Sequence, residues 1–171
     1  MKIKYALLLL AVLLFVQCKT TGLTQIKRDI NNSYSIKYLN KKSFDQSRAL
    51  MFKTLPADIM RNDTIIIIEY YTSDNLNYFV SLYQSEDKTI ERHRLVFNRY
   101  SEKQITYSLV PTDFPDKIME MVIRGDIEEV KRRGDNRDWT PVTTLIINIG
   151  VKDQKKEKFN FTTIIANNFH L

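Results

Sequence analysis

The chain has 171 residues, a formal net charge of +6 at pH 7 and a single cysteine. Residues 19–42 hold six basic and one acidic side chain, whereas residues 43–171 hold 18 basic and 19 acidic ones. Because a nucleic-acid-binding domain needs a basic face on the fold itself, this distribution argues against that function. One cysteine allows no disulfide within the chain, so the fold must rely on a hydrophobic core.

The N-terminus has the pattern of an export leader. Lys2 and Lys4 precede an uncharged, largely apolar run at 5–16. A run of this length suits the apolar region of a leader and is shorter than the ~20 residues that cross a bilayer. The small-x-small pattern of ordinary leader cleavage is missing before Gln17, and the next residue is Cys18. An uncleaved apolar N-terminus with a buried free cysteine is the alternative.

This pattern resembles the leader of bacterial lipoproteins. In its strict form, the lipobox, Gly, Ala or Ser stands just before the cysteine. Gln17 departs from that form and resembles leaders of the Bacteroidetes type, which tolerate other residues at this position. The resemblance covers residues 1–18. It implies that residues 1–17 are removed as a signal peptide, that Cys18 carries the lipid, and that the protein lies in the cell envelope. The expected place is the outer membrane, on its periplasmic or surface side. The tripeptide Asp63-Thr64-Ile65 also resembles the O-glycosylation acceptor of Bacteroidetes envelope proteins.

Residues 18–33 are predicted to form a lipidated basic tether in front of a single domain at 34–171. Lys19, Lys27 and Arg28 are predicted to contact anionic headgroups. Near such a surface each basic side chain is worth roughly 1 kcal/mol. The alternative is a solvated linker whose charges only keep it extended.

The predicted elements of the domain begin with an edge strand at 33–38, where apolar residues alternate. A capping box formed by Ser43 and Gln46 begins a helix, and Pro56 ends it near Thr54. Four segments with short polar connections then predict an antiparallel meander. These strands are predicted at 64–71, 77–84, 89–98 and 104–110.

The C-terminal part adds a helix and a hairpin. Apolar spacing predicts one helix from Pro115 to Arg133, with Gly134 as its C-cap. Alternating apolar residues predict hairpin strands at 145–151 and 159–165. The whole pattern predicts an α+β fold, with a single antiparallel sheet of about six strands and two helices packed on one face.

The sequence offers few candidates for chemistry. No zinc-ligand spacing and no glycine-rich phosphate loop occur in it, so no metal and no cofactor are predicted. His93 and Glu91 project from the same face of a predicted strand and form a candidate base and orienting group. A small hydrolase using His93 is therefore one hypothesis, and a surface strand histidine is the simpler interpretation.

Aromatic residues on and after the meander suggest a binding surface for a protein or glycan partner. The residues are Tyr70, Tyr78, Tyr83, Tyr107 and Trp139. The alternative is that they reflect strand propensity and core packing.

Together these inferences favour a lipid-anchored cell-envelope protein that acts as a non-enzymatic binding or structural module. Its expected partners are the membrane, through the lipid, and an envelope protein or glycan, but not nucleic acid. The alternatives are an immunity-type inhibitor that neutralises a toxin in the periplasm, and the hydrolase using His93.

Overall fold

The computed structural model describes residues 24–31, 41–56, 58–71, 75–98, 105–108, 113–135, 144–166 and 168–169. The helices are α1 (24–31), α2 (Lys41–Thr54), the 3-10 helix η1 (Ile59–Arg61), α3 (Asp113–Ile123) and α4 (Ile127–Arg133). The strands are β1 (Thr64–Tyr71), β2 (Asn75–Gln84), β3 (Thr89–Asn98), β4 (Ile105–Ser108), β5 (Gly134–Asp135), β6 (Thr144–Asp153), β7 (Lys158–Ala166) and β8 (Asn168–Phe169). The edge strand predicted at 33–38 lies outside the described residues.

Six strands form one sheet in the order β4-β3-β2-β1-β6-β7. Every neighbouring pair in it is antiparallel. The predicted α+β fold with an antiparallel meander is therefore confirmed, and the C-terminal hairpin extends the meander by pairing β6 with β1. Short β5 and β8 pair separately. Strand β1 lies inside the sheet, with β2 along one edge and β6 along the other.

Helices cover both faces of this sheet. Ile65 and Ile67 of β1 share one buried cluster with side chains of α1 and α2. Ile66 and Ile68 share a second cluster with side chains of α3 and α4. The prediction of two helices on one face is therefore wrong, because the described chain has four α-helices in two layers. The isoleucine run makes both faces of β1 apolar, so each face needs its own cover.

Helix α1 lies within the segment that was predicted to be a tether. Ile26 and Ile30 are 1 % and 0 % exposed and belong to the cluster beneath α2. The ammonium of Lys27 lies 5.5 Å from the centre of the Phe52 ring on α2. Residues 24–31 therefore pack as part of the folded domain rather than extending in front of it. Two isoleucines at i and i+4 are the helical signal, which the high charge of the segment obscured.

The predicted helix from Pro115 to Arg133 is broken in two. Gly125 has a φ of +84°, and its N–H bonds the Val122 carbonyl at 3.0 Å. The N–H of Asp126 bonds the Met121 carbonyl at 2.9 Å. This pair of bonds, with a left-handed glycine, is the Schellman arrangement that ends a helix. The apolar spacing continues across the break, which is why periodicity alone predicted one helix.

Asp63 joins three elements at the end of the sheet where β1 begins. Its backbone N–H bonds the Tyr83 carbonyl, and its carbonyl accepts the Lys152 N–H, each at 2.8 Å. Its carboxylate accepts the backbone N–H and the hydroxyl of Ser85 and, at 2.7 Å, the amide of Gln154. The neighbouring Thr64 is only 6 % exposed, so the structure does not offer its hydroxyl as a glycosylation acceptor.

Replacing Asp63 is expected to make the free energy of unfolding less dependent on pH in the acidic range. The Ser85 hydrogen bonds, then Gln154 and Lys152, hold the pKa of Asp63 below its ordinary value of 3.8, although partial burial opposes them. A carboxyl with a lowered folded-state pKa stabilises the fold above its ordinary pKa and loses that contribution as the pH falls through the folded value. Urea unfolding should therefore show Asp63→Asn less stable than the native chain at pH 7, with the gap closing in acid.

The matched control for this experiment is Asp58→Asn, which removes the same charge. Asp58 is an exposed carboxylate 3.8 Å from Arg61. Its replacement should change stability little at any pH. A gap between Asp63→Asn and the native chain that is constant with pH, or no larger than the gap for Asp58→Asn, would contradict the assigned role of Asp63.

Candidate functional site

The most unusual group in the described chain is a carboxylate inside the core. Glu69 lies on β1, on the face covered by α1 and α2, and is 0 % exposed. Charged side chains are almost never fully buried unless they are paired. The burial of Glu69 therefore predicts a partner of opposite charge close to its carboxylate.

Arg48 of α2 provides the opposite charge. Its Nη2 donates to both carboxylate oxygens of Glu69 at 3.0 Å, and its Nε donates to Oε2 at 3.3 Å. The Arg48 side chain is itself buried. Its Nη1 donates at 3.0 Å to the amide oxygen of Asn31 at the end of α1. One guanidinium thus connects the two helices of this layer to the central strand.

Polar side chains of three strands complete the network. The Tyr71 hydroxyl donates to Glu69 Oε2 at 2.8 Å, and the Asn148 amide donates to Oε1 at 2.9 Å. The hydroxyl of Thr163 in turn donates to the Asn148 oxygen at 2.9 Å. The buried charge is therefore held by β1, β6 and β7 as well as by α2. We call the set Asn31, Arg48, Glu69, Tyr71, Asn148 and Thr163 the Glu69 network.

Electrostatics and geometry indicate that this network has a structural role. Burial raises the pKa of Glu69, while the Arg48 charge and the hydrogen bonds from Tyr71 and Asn148 oppose that rise. Burial and the nearby Glu69 charge raise the pKa of the Tyr71 phenol, so Tyr71 stays a donor. Burial also raises the pKa of Tyr78, whose hydroxyl lies 2.7 Å from that of Ser47. Oε1 of Glu69 accepts two of these hydrogen bonds and Oε2 accepts three, so the carboxylate holds α2 to the sheet.

The three predicted binding-surface tyrosines whose side chains are described do not share one exposed face. Tyr78 is 1 % exposed within the cluster under α1 and α2. Tyr83 packs against the cluster on the opposite face, and Tyr70 is 36 % exposed. Tyr78 therefore belongs to the core, as the packing alternative held, and only Tyr70 offers a substantially exposed ring among these three.

Other predicted site residues lie where the structure gives no side chain. Cys18, Lys19 and Trp139 are outside the described residues, and only the backbone of Tyr107, in β4, is described. Lys27 is half-buried over Phe52, as noted above. Arg28 is exposed on α1. The membrane-contact prediction thus rests, within the described chain, on Arg28 and the partly buried Lys27.

The predicted pairing of His93 with Glu91 is present. The Nε2 of His93 lies 2.8 Å from Oε1 of Glu91. His93 is, however, only 6 % exposed, because its face of β3 continues through the buried Leu95 and Phe97. The interpretation of His93 as a surface residue is therefore wrong. The hydrolase hypothesis stays a prediction, and it would need a route for substrate to a buried imidazole.

Sequence reasoning missed the Glu69 network altogether. The one signal in the sequence was a single acidic residue inside the apolar segment TIIIIEYY. A lone charge in the middle of a central strand predicts a buried partner, but the partner's identity is set by tertiary packing. Arg48 and Asn148 lie in segments whose local patterns are ordinary for a helix and a strand.

Neither a metal centre nor a membrane span is found in the described residues. No group of three or more His, Cys, Asp or Glu side chains in that part of the chain could hold a metal ion. The helices among the same residues are too short or too polar to cross a bilayer.

Comparison of the chain with protein-family models, with curated proteins and with solved structures finds no match.

Breaking the buried pair is expected to cost far more than breaking an exposed one. Arg48→Met leaves a buried carboxylate without its cation, and Glu69→Gln leaves a buried cation without its anion. Each single variant should lose about 3–5 kcal/mol of unfolding free energy. The double variant should lose clearly less than the sum, because neither uncompensated charge remains. Urea unfolding of the four proteins measures this coupling.

The control is an exposed ion pair in which the cation is likewise replaced by Met and the Glu by Gln. Lys131 and Glu128 of α4 are exposed and form an ion pair at 2.6 Å. Lys131→Met and Glu128→Gln should each have small and nearly additive effects. Additive losses in the Arg48 and Glu69 cycle, or losses as small as those on α4, would show that the network does not hold the layer.

Proposed function

We propose that this chain is a lipid-anchored cell-envelope protein whose α+β domain is held against the membrane as a binding or structural module. The observation that carries the proposal is the position of Cys18. This only cysteine follows directly on the apolar leader, and six positions later the chain enters α1, whose isoleucines are buried in the core. The lipid attachment point and the folded domain are therefore almost continuous.

The short connection limits where the domain can act. Five residues, 19–23, separate Cys18 from the first described residue of α1. A fully extended chain spans at most ~3.3–3.6 Å per residue, so the start of α1 stays within roughly 20 Å of the lipid attachment point. This is about twice the ~10–12 Å diameter of one helix with its side chains. An anchored domain with such a connection meets partners that come to the membrane surface.

The expected partner class is an envelope protein or glycan. The exposed ring of Tyr70 is one apolar contact that such a partner could use, since aromatic side chains are enriched at interfaces. The immunity-type inhibitor is a narrower form of the same proposal, in which the partner is a toxin that reaches the periplasm. It remains a prediction of the sequence analysis.

Lipid labelling tests the proposal. The full-length chain is expressed in a bacterium of the group that its leader resembles, with a clickable palmitate analogue, and its membranes are fractionated. The native chain should carry the label and sediment with membranes, whereas Cys18→Ala should carry none. The expected difference is complete, because Cys18 is the only thiol in the sequence.

Gln17→Ala is the matched control. It changes the neighbouring residue to one that the strict lipobox accepts, so labelling should persist or increase. An unlabelled native chain would reject the lipoprotein proposal. Label that survives in Cys18→Ala would place the lipid elsewhere in the chain and reject Cys18 as the anchor.

A further inference from the structure

We infer that the outer surface of the α1–α2 layer lies on anionic lipid headgroups and so fixes which side of the domain faces the bilayer. This inference rests on the proposed lipid anchor and adds to it a defined orientation. Residues 24–31 of the segment expected to be a basic tether instead form α1, which packs on the core beside α2. Its charges are thus part of one face of the fold.

The two helical layers differ in charge. Apart from Arg48, which is buried against Glu69, α1 and α2 together contain five basic and two acidic residues. On the opposite face, α3 and α4 contain four basic and five acidic residues. An anionic surface therefore attracts the first layer and does not attract the second.

The described side chains show the same contrast. Arg28 of α1 and Lys53 of α2 are exposed, and the other exposed side chains described on this layer are uncharged. On α3 and α4 the exposed cations Lys117 and Lys131 alternate with exposed carboxylates such as Glu120. Cations of that second layer already have neighbouring anions, for example Lys131 with Glu128 at 2.6 Å. Arg28 and Lys53 thus form the more available cationic pair.

The position of the anchor favours a bilayer over an acidic protein as the occupant. The layer that carries the excess of cations is also the layer that begins within roughly 20 Å of the lipid. Once Cys18 is embedded, anionic headgroups stand next to α1 at high local concentration, and an acidic protein would have to displace them. The opposite face, with α3 and α4, is then turned away from the membrane.

Cysteine reactivity in vesicles tests this orientation. The lipidated full-length protein is purified from membranes and placed in vesicles of pure phosphatidylcholine or with ~30 % phosphatidylglycerol. Two exposed positions carry reporters: Gln46→Cys on α2 and Glu120→Cys on α3. In the anionic vesicles, maleimide-polyethylene glycol should react at least about fivefold more slowly at Gln46→Cys than in the neutral ones. Reaction at Glu120→Cys should be the same in both, and high salt should remove the difference.

Charge variants with equal net change provide the control. Arg28→Gln with Lys53→Gln should return the reactivity of Gln46→Cys in anionic vesicles to nearly its value in neutral ones. Lys117→Gln with Lys131→Gln on the other layer should leave it unchanged. Equal reactivity of both cysteines in anionic vesicles overturns the inference, as does protection of Gln46→Cys in native membranes but not in vesicles, which would indicate an envelope protein. A chain that does not float with either vesicle overturns the anchor itself.

Discussion

The fold depends on one buried ion pair, Arg48 with Glu69. A carboxylate at the centre of an apolar strand is tolerated only if a cation and further donors reach it. That requirement fixes which turn of α2 lies over β1, and Asn31 extends the same requirement to α1. The pair thus adds a directional polar contact to the apolar packing of α1 and α2 on the sheet.

This layer links the architecture to the proposed function. Because α1 packs on the core, only residues 19–23 lie between Cys18 and its first described residue. The charges of α1 are therefore held on one face of the domain. A flexible tether would let the domain sample every orientation above a bilayer. In the proposed anchored state, the α1–α2 layer beside the lipid would instead select one orientation and leave the face with α3 and α4, together with the exposed Tyr70, open to partners.

The sequence predicted the parts of this fold that depend on local pattern. Strands at 64–71 and 89–98 were predicted with their observed bounds, because alternation and polar turns are local signals. The two-sided cover of β1 was missed even though its apolar character on both faces was visible. Gly125 was missed as a helix end because apolar spacing continues past it. The partners of Glu69 could not be predicted, since Arg48 and Asn148 are 21 and 79 positions away along the chain.

Native-state hydrogen exchange at Ile30 tests the central claim, that α1 is an integral part of the folded domain. The full-length protein is compared at two backbone amides, those of Ile30 in α1 and Ile66 in β1. If the Glu69 network holds the layer, both amides should exchange only through global unfolding and show the same free energy of opening. Exchange of the Ile30 amide at the rate of an unstructured peptide, with the Ile66 amide still protected, would show that residues 24–31 are a tether. That result would contradict the account.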